Sequence, residues 1–266
     1  MHIRLVQQKD LYDFSRVVGQ SMWNDEIITY TAPHKDKYPD SFFRYTLYRT
    51  QIRWYRGELL FLAVSDEIDH DWTGKEVIMG YCCYSTTVHG KQKPVRGGWL
   101  GNRFERLALD WYGRYANFFA LNKSCDPAAD QNFRSVLNVN FMGPYLAGLP
   151  EEERQRIGDQ HWELELLGTH PDFRRRGVGT MMLQWGFERA REDNVPLILV
   201  ATVTGEKLYL STGFKQTNKV DMVPVSGDDC LKELDLGLGK GMGLSWAAMV
   251  WEPEGMRRDE EQAGSG

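Results

Sequence analysis

The feature that most limits the fold of this chain is the segment LELLGTHPDFRRRGVGT, which runs from Leu164 to Thr180. It begins as an apolar strand pattern, passes through a turn with a proline and three arginines, and continues as a helix. A helix that begins at Gly177 presents unpaired amide groups and the positive end of its dipole. Glycine at 177 and 179 lets an anion approach these amides, since neither residue carries a Cβ. The segment therefore predicts a site for an anion such as pyrophosphate.

The patterns on both sides of this segment alternate between strands and helices. Before it, the spacing of apolar residues predicts a strand, two helices and two further strands over residues 2–7, 11–22, 40–57, 58–66 and 76–88. From His161 it predicts strand, helix, strand, short helix and last strand over residues 161–169, 178–194, 196–202, 205–214 and 245–253. The element order predicts a mixed α/β (α+β) fold in one domain over residues 1–254.

Residues 90–159 do not follow this alternation of strands and helices, and their pattern predicts a helical insertion. Two stripes at helical spacing predict a helical hairpin that packs its apolar face into the core; the first consists of Phe104, Leu107, Ala108, Trp111, Tyr115, Phe118 and Phe119. The second stripe consists of Phe133, Val136, Leu137 and Phe141. Direct contact of these aromatics with a ligand is the alternative. The polar tail over residues 255–266 is expected to be disordered.

Composition and residue spacing exclude several classes of partner. A formal charge of -5 argues against a broad basic face for nucleic acid or anionic membrane. The apolar runs are shorter than a membrane span, and the first residues lack a signal-peptide core, which predicts a cytoplasmic protein. No Cys/His spacing typical of a metal site occurs, so we expect reduced, packed cysteines and no metal; the four are Cys82, Cys83, Cys125 and Cys230.

Two motifs in the expected order carry a resemblance to a known family. Arg174-Arg175-Arg176-Gly177-Val178-Gly179 fits the Gln/Arg-x-x-Gly-x-Gly/Ala signature of the GCN5-related N-acetyltransferase (GNAT) superfamily. LYLSTGF, residues 208–214, is similar to the Leu-Tyr-x-x-x-Gly-Phe motif of that family. The resemblance covers residues 161–216. The sequences of the segments ATVTGEKLYLSTGF and WAAMVWEP resemble those of a fungal branch of the superfamily.

This resemblance implies both an architecture and a cofactor. The GNAT fold has a mixed twisted sheet with helices on both faces and a V-shaped opening between two central parallel strands; here the insertion would lie between the third and fourth strands. Acetyl-CoA would bind in that opening as co-substrate, with its pantetheine arm on the backbone of Leu167 and Thr169. The pyrophosphate would lie on amides of the signature and its flanks: Arg174, Arg175, Arg176, Gly177, Val178, Gly179 and Thr180.

The candidate catalytic residues lie on both sides of the signature. Glu163 and Glu165 alternate with Trp162, Leu164 and Leu166, so both carboxylates are expected on one strand face. Family resemblance implies that either glutamate is the general base and that Tyr209 protonates the thiolate of CoA. The alternatives are an ion pair of one glutamate with Arg154 or Arg156, exposure of a glutamate to solvent at the start of the strand, and core packing of Tyr209. The chain departs from the family at Thr202, where many members have an asparagine that contacts the cofactor.

The implied activity is transfer of an acetyl group from acetyl-CoA to an amine by direct attack in a ternary complex. We expect a small apolar or aromatic acceptor, because the insertion can line the acceptor side with some of Trp99, Trp111, Tyr112, Tyr115 and Phe119. A protein or peptide lysine acetyltransferase, transfer to a hydroxyl, and a non-catalytic acyl-CoA-binding regulatory module remain the alternatives. The chain is expected to be a monomer or a homodimer.

Overall fold

The computed structural model of the chain describes residues 1–70, 72–91, 104, 107–108, 111, 123–125, 160–222 and 244–254. Seven strands in these ranges form one sheet in the order β1-β2-β3-β4-β5-β7-β6. The strands are β1 (His2–Leu5), β2 (Leu59–Val64), β3 (Ile78–Thr86), β4 (Trp162–Thr169), β5 (Leu197–Ala201), β6 (Lys215–Met222) and β7 (Leu244–Trp251). The described helices are α1 (Leu11–Met22), α2 (Glu26–Thr31), α3 (Pro39–Tyr55), α4 (Val178–Asp193) and α5 (Val203–Ser211).

The sheet is mixed. Strands β4 and β5 are parallel, and each of the other neighbouring pairs among the described strands is antiparallel. A parallel pair needs a crossover connection, which α4 supplies. This arrangement confirms the mixed α/β sheet that the sequence predicted; the short helix α2 and the strand β6 were not predicted.

Helices cover both faces of the sheet. Successive residues of β3 point to opposite faces, and each face packs against a different pair of helices. Cys82 and Tyr84 belong to one apolar cluster together with residues of α4 and α5. Tyr81 and Cys83 belong to a second cluster with residues of α1 and α3. This alternation is the period-2 pattern of a strand that is buried on both faces.

A glycine sets the distance between α4 and the sheet. A Cβ on Gly186 would come within 2.6 Å of the hydroxyl oxygen of Tyr84, whose side chain is fully buried. The same hydroxyl donates a hydrogen bond to the carbonyl of Met182 at 3.1 Å. The close contact holds the middle of α4 against β3.

The prediction of a buried helical stripe in the insertion is wrong at the four positions that can be checked. Phe104, Leu107, Ala108 and Trp111 are helical but exposed, with exposed fractions of 67% for Phe104 and 72% for Trp111. Helical spacing detects an amphipathic stripe, but burial also needs a second surface, which the pattern does not report. The other residues of both stripes, the tail over 255–266 and the bounds of the insertion lie outside the described residues, and the single domain stays a prediction.

Three of the four cysteines can be located. Cys82, Cys83 and Cys125 are buried free thiols, as predicted, whereas Cys230 lies outside the described residues. Among the residues whose positions are described, none of the helices combines the length and apolar character needed to cross a membrane.

Candidate active site

The sheet opens between β4 and β5. Their parallel pairing runs from Trp162 with Leu197 to Leu164 with Leu199 and then stops, although β4 continues to Thr169. The edge of β4 that faces β5 therefore carries no strand pairing beyond Leu164 within the described ranges. Leu167 and Thr169 lie in this unpaired stretch, where backbone groups are available to an extended ligand.

A β-bulge in β4 begins at the same point. Tyr84 pairs with Leu164 and Cys83 with Leu166, so Glu165 is the extra residue. Leu166 packs with the α1 and α3 cluster, the side on which Glu165 also lies. The predicted alternation is correct for Glu163 and Glu165 but wrong for Leu166, because the bulge turns two consecutive residues to one face.

Glu165 is held by two donors from different elements. Arg53, near the end of α3, donates from Nη1 to Oε2 of Glu165 at 3.2 Å. The hydroxyl of Ser85, on β3, donates to Oε1 of Glu165 at 3.1 Å. Each oxygen of this carboxylate thus accepts a hydrogen bond, and one of the two bonds is an ion pair.

The same arginine joins a second carboxylate. Nη1 of Arg53 donates to Oε2 of Glu58 at 2.6 Å, and the thiol of Cys83 donates to that oxygen at 3.2 Å. The side chains of Arg53, Glu58 and Glu165 retain exposed fractions of 17%, 12% and 27%. Water screens such half-buried charges poorly, so they act strongly on their neighbours.

Glu163 is the neighbour on which this cluster acts. Burial, reinforced by the negative charge of Glu165, raises the pKa of Glu163 from 4.5 to about 8, and the positive charge of Arg53 opposes the rise. Glu163 makes no ion pair with any residue that the structure describes. Its carboxyl is therefore mostly protonated at pH 7 and exchanges a proton readily near pH 8.

Tyr209 reaches the opening from α5, on the opposite face of the sheet from the glutamates. Its buried ring packs edge-on against Phe214 and shares an apolar cluster with Leu167. Burial, with the nearby Cys82 and Asp25, raises the pKa of the phenol above its usual value. The hydroxyl thus keeps its proton at neutral pH; its role as an acid stays a prediction.

The first turn of α4 has the geometry of an anion site. Gly177 precedes the helix with φ of 80° in the left-handed region. The first backbone bond into the helix runs from the amide of Met181 to the carbonyl of Gly177 at 3.0 Å. Four amides, those of Gly177, Val178, Gly179 and Thr180, donate to no acceptor in the described part of the chain. They present fixed donors to an anion.

The three arginines around this turn are exposed. Arg174 donates from Nη2 to the carbonyl of Ser21 at 3.1 Å. The guanidinium of Arg176 lies 5.2 Å from the ring centroid of Phe173, and Arg175 has φ of 64°, which is uncommon for a residue with a side chain. Their positive charge lies beside the free amides of α4 and complements an anion there.

Other residues noted in the sequence have structural roles. The hydroxyl of Thr202 caps α5 by accepting from the amide of Gly205 at 3.2 Å. His161 is buried and hydrogen-bonds Thr87 through Nδ1 at 3.1 Å, and Nδ1 of His170 accepts from the amide of Asp172. No group of histidine, cysteine or acidic side chains suited to a metal occurs among the residues searched, which are the described ones.

Sequence reasoning missed Arg53, Glu58 and Ser85. The arginines proposed as partners of a glutamate, Arg154 and Arg156, lie outside the described residues, and the observed partner is Arg53. A signal was present: Arg53 follows the buried Thr46 and Thr50 at helical spacing. A charged residue on a buried helical stripe needs a partner across the interface.

Comparisons with known proteins agree with this geometry. Residues 145–216 match the model of the acetyltransferase (GNAT) domain. A protein named acetyltransferase from the fungus Stachybotrys chartarum is 25% identical over 234 residues, which are 85% of each chain.

Solved structures show the same fold. One is histone acetyltransferase HPA2 and related acetyltransferase from Corynebacterium glutamicum, with a TM-score of 0.51, 15% identity and coverage of 95% of this chain and 96% of that one. Another is a putative arylalkylamine N-acetyltransferase from the yellow fever mosquito, with a TM-score of 0.51, 11% identity and coverage of 94% and 86%. The mixed sheet, the opening beside the first turn of α4 and the family match support a GNAT acetyltransferase domain, with the match itself covering residues 145–216.

Proposed function

We propose that the chain transfers the acetyl group of acetyl-CoA to the amine of a small molecule and that Glu163 is the general base. The observation that carries this proposal is the position of Glu163, a carboxyl with a raised pKa that lies one residue before the last pair between β4 and β5. A base with a pKa near the working pH is well suited to proton transfer.

The residues present fit acetyl-CoA. Its pyrophosphate would accept hydrogen bonds from the four free amides of α4, with the arginines beside them, and no atom lies within 4 Å of where a Cβ on Gly177 would be. The pantetheine amides would pair with the open edge of β4 at Leu167 and Thr169. Bound in this way, acetyl-CoA supplies the activated acetyl group.

The chain's own groups then manage the protons. Ionised Glu163 takes one proton from the acceptor, either from its ammonium before the attack or from the neutral amine as it attacks, directly or through a water. Backbone donors on the open edge of β4 are placed to bind the carbonyl oxygen on which negative charge develops. Tyr209 donates a hydrogen bond to the leaving sulfur and is the proposed source of its proton. Its raised pKa implies that this proton transfer needs the negative charge on the sulfur.

The charges around Glu163 favour a cationic acceptor. Glu165 and Glu58 act on Glu163 as negative charges, and Arg53 is the single cation among the groups that act on it most strongly. An alkylammonium would be attracted to this surplus of negative charge. We propose an apolar or aromatic amine, supported by the aromatic residues in the sequence of the insertion, for example the exposed Trp111.

Three other functions remain to be separated from this one by experiment: acetylation of lysine in peptides, acetylation of a hydroxyl, and binding of acyl-CoA without turnover. The test is release of free CoA thiol from acetyl-CoA in the presence of arylalkylamines, polyamines, alcohols and lysine peptides. We expect arylalkylamines to be preferred. A preference for lysine peptides or alcohols would replace the proposed acceptor. CoA binding by calorimetry with no turnover on the whole panel would indicate a binding module.

A further inference from the structure

A second question follows from the two glutamates of β4, since only one of them is required as base. The inference below rests on the proposed function. Glu165 accepts from Ser85 at one oxygen and from Arg53 at the other. Both of its oxygens are therefore engaged, one of them by a charged donor, which leaves this carboxylate less free to approach an acceptor. Glu163 makes no ion pair among the described residues, and the hydrogen bond that acts on it comes from the neutral hydroxyl of Ser85.

We propose that Arg53 is the positioning residue of this site: its guanidinium holds the carboxyl groups of Glu165 and Glu58 in place, so that Glu163 alone exchanges the proton of the acceptor. Arg53 does not contact the reacting atoms in this arrangement. It acts through the carboxylates that it binds, and it fixes the bulged residue of β4 to α3.

The geometry of Arg53 makes it suitable for this task. One nitrogen, Nη1, donates to both Glu58 and Glu165, and its distance to Sγ of Cys83 is 3.9 Å. A single cationic nitrogen shared by two carboxylates acts as a point charge and does not use the forked geometry of a guanidinium. Lysine at this position is therefore expected to retain much of the function, whereas a neutral side chain of similar length is not.

The groups that face Glu163 come from each element packed around it. Arg53 lies on α3, Glu58 follows α3, Ser85 lies on β3, and Glu165 lies on β4 itself. The carboxylates and the arginine oppose each other in their effect on the proton of Glu163. Removal of a carboxylate and removal of the arginine must therefore move its titration in opposite directions.

The experiment follows the titration of Glu163 with and without turnover. The carboxyl carbon of Glu163 is titrated by NMR in protein labelled at glutamate and assigned from the spectrum of Glu163→Gln; the acid limb of kcat against pH is measured in parallel. We expect Glu165→Gln to move both midpoints down by about one pH unit and Arg53→Met to move both up by about one unit. At pH 7 the second shift lowers kcat roughly tenfold. Arg53→Lys should restore the unchanged midpoint to within a few tenths of a unit.

A matched control is Arg56→Met, because Arg56 directly follows α3 as its C-cap and its side chain is exposed. It should move neither midpoint. Shifts of Arg53→Met and Glu165→Gln in the same direction, or no shift in either, would overturn the proposal. If Arg53→Met does not fold, and therefore does not bind CoA, Glu165→Gln and Arg53→Lys still test the proposal. An unchanged titration midpoint of Glu163 in Glu165→Gln would reject the proposed role of Arg53. Lack of turnover by the unchanged chain counts against the proposed function, whereas the NMR titration judges Arg53 in either case.

Discussion

A Cβ on Gly179 would lie 3.2 Å from Cδ2 of Leu208, so α4 and α5 are in close contact at the second glycine of the signature. Gly177 is different: it has a positive φ, and a Cβ there would meet no atom within 4 Å. The first glycine therefore sets the backbone of the anion site, and the second allows two helices to meet.

These two roles predict different results for alanine at the two positions. Gly177→Ala should destabilise the turn by about 1–2 kcal/mol and weaken CoA binding roughly tenfold, because a left-handed φ strains any residue with a Cβ. Gly179→Ala should change stability by less than about 1 kcal/mol, since better helix propensity offsets a contact with the flexible end of Leu208. Its affinity for CoA should stay within about threefold. Calorimetry and urea unfolding measure both; equal losses of affinity would contradict the distinction.

Arg175 combines an exposed charge with backbone strain. Arg175→Ala should weaken CoA binding several-fold by removing a charge beside the pyrophosphate, with little change in stability, because alanine keeps the strained φ of 64°. Arg175→Gly should weaken binding equally but raise the free energy of unfolding by roughly 0.5–1 kcal/mol, since glycine adopts this conformation without strain. Arg16→Ala, at an exposed position of α1, is the control for loss of charge. Equal stability of the alanine and glycine variants would show that the backbone at 175 stores no strain.

The parts of the site that sequence reasoning could find are local. The turn from Arg174 to Gly179 and the LYLSTGF segment each lie within one short window, where glycine, charge and apolar spacing have a direct physical meaning. The order of strands and helices follows from such windows too, and the mixed sheet was predicted correctly.

The parts that could not be found depend on contacts between distant segments. Arg53 and Glu165 are 112 residues apart, and no local pattern relates them. The bulge at Glu165 changes which face Leu166 occupies, yet it arises from pairing with β3 and leaves no signature in the sequence of β4 alone. The exposure of Phe104 and Trp111 depends likewise on what packs against them, which helical spacing does not record.

Glu163→Gln should abolish most turnover without loss of CoA affinity. A general base contributes roughly 10²–10⁴-fold, so we expect a fall in kcat of that order.

In the unchanged chain, kcat should rise about tenfold per pH unit below the pKa of about 8 and level off above it, because the ionised carboxylate is the active form. This limb should be absent from the residual activity of the variant. Glu188→Gln, at an exposed position of α4, should retain both the value of kcat and its rise with pH. A limb of unchanged midpoint in Glu163→Gln would assign it to the acceptor amine or another group.

The raised pKa of Glu163 also has a consequence for stability, because its protonated form favours the folded state. The folded-state pKa, about 8, lies above the ordinary value of 4.5, so the stabilising contribution is complete below about pH 4.5 and is lost as pH rises through 8. The unchanged chain should therefore lose stability relative to Glu163→Gln by up to about 1.4 kcal/mol per pH unit between pH 5 and 8, a few kcal/mol in all, with no further change at higher pH.

Urea unfolding of both proteins from pH 5 to 9 measures this difference directly, and Glu188→Gln gives the baseline for an exposed glutamate. A growing gap that stops near pH 8 is expected for Glu163→Gln, together with a constant gap for the control. Because unfolding needs neither acetyl-CoA nor an acceptor, the result reports the burial of the carboxyl independently of catalysis. A gap for Glu163→Gln that stays constant from pH 5 to 9 would mean that Glu163 is ionised throughout, and the carboxyl would then lack the basicity that the proposed reaction requires.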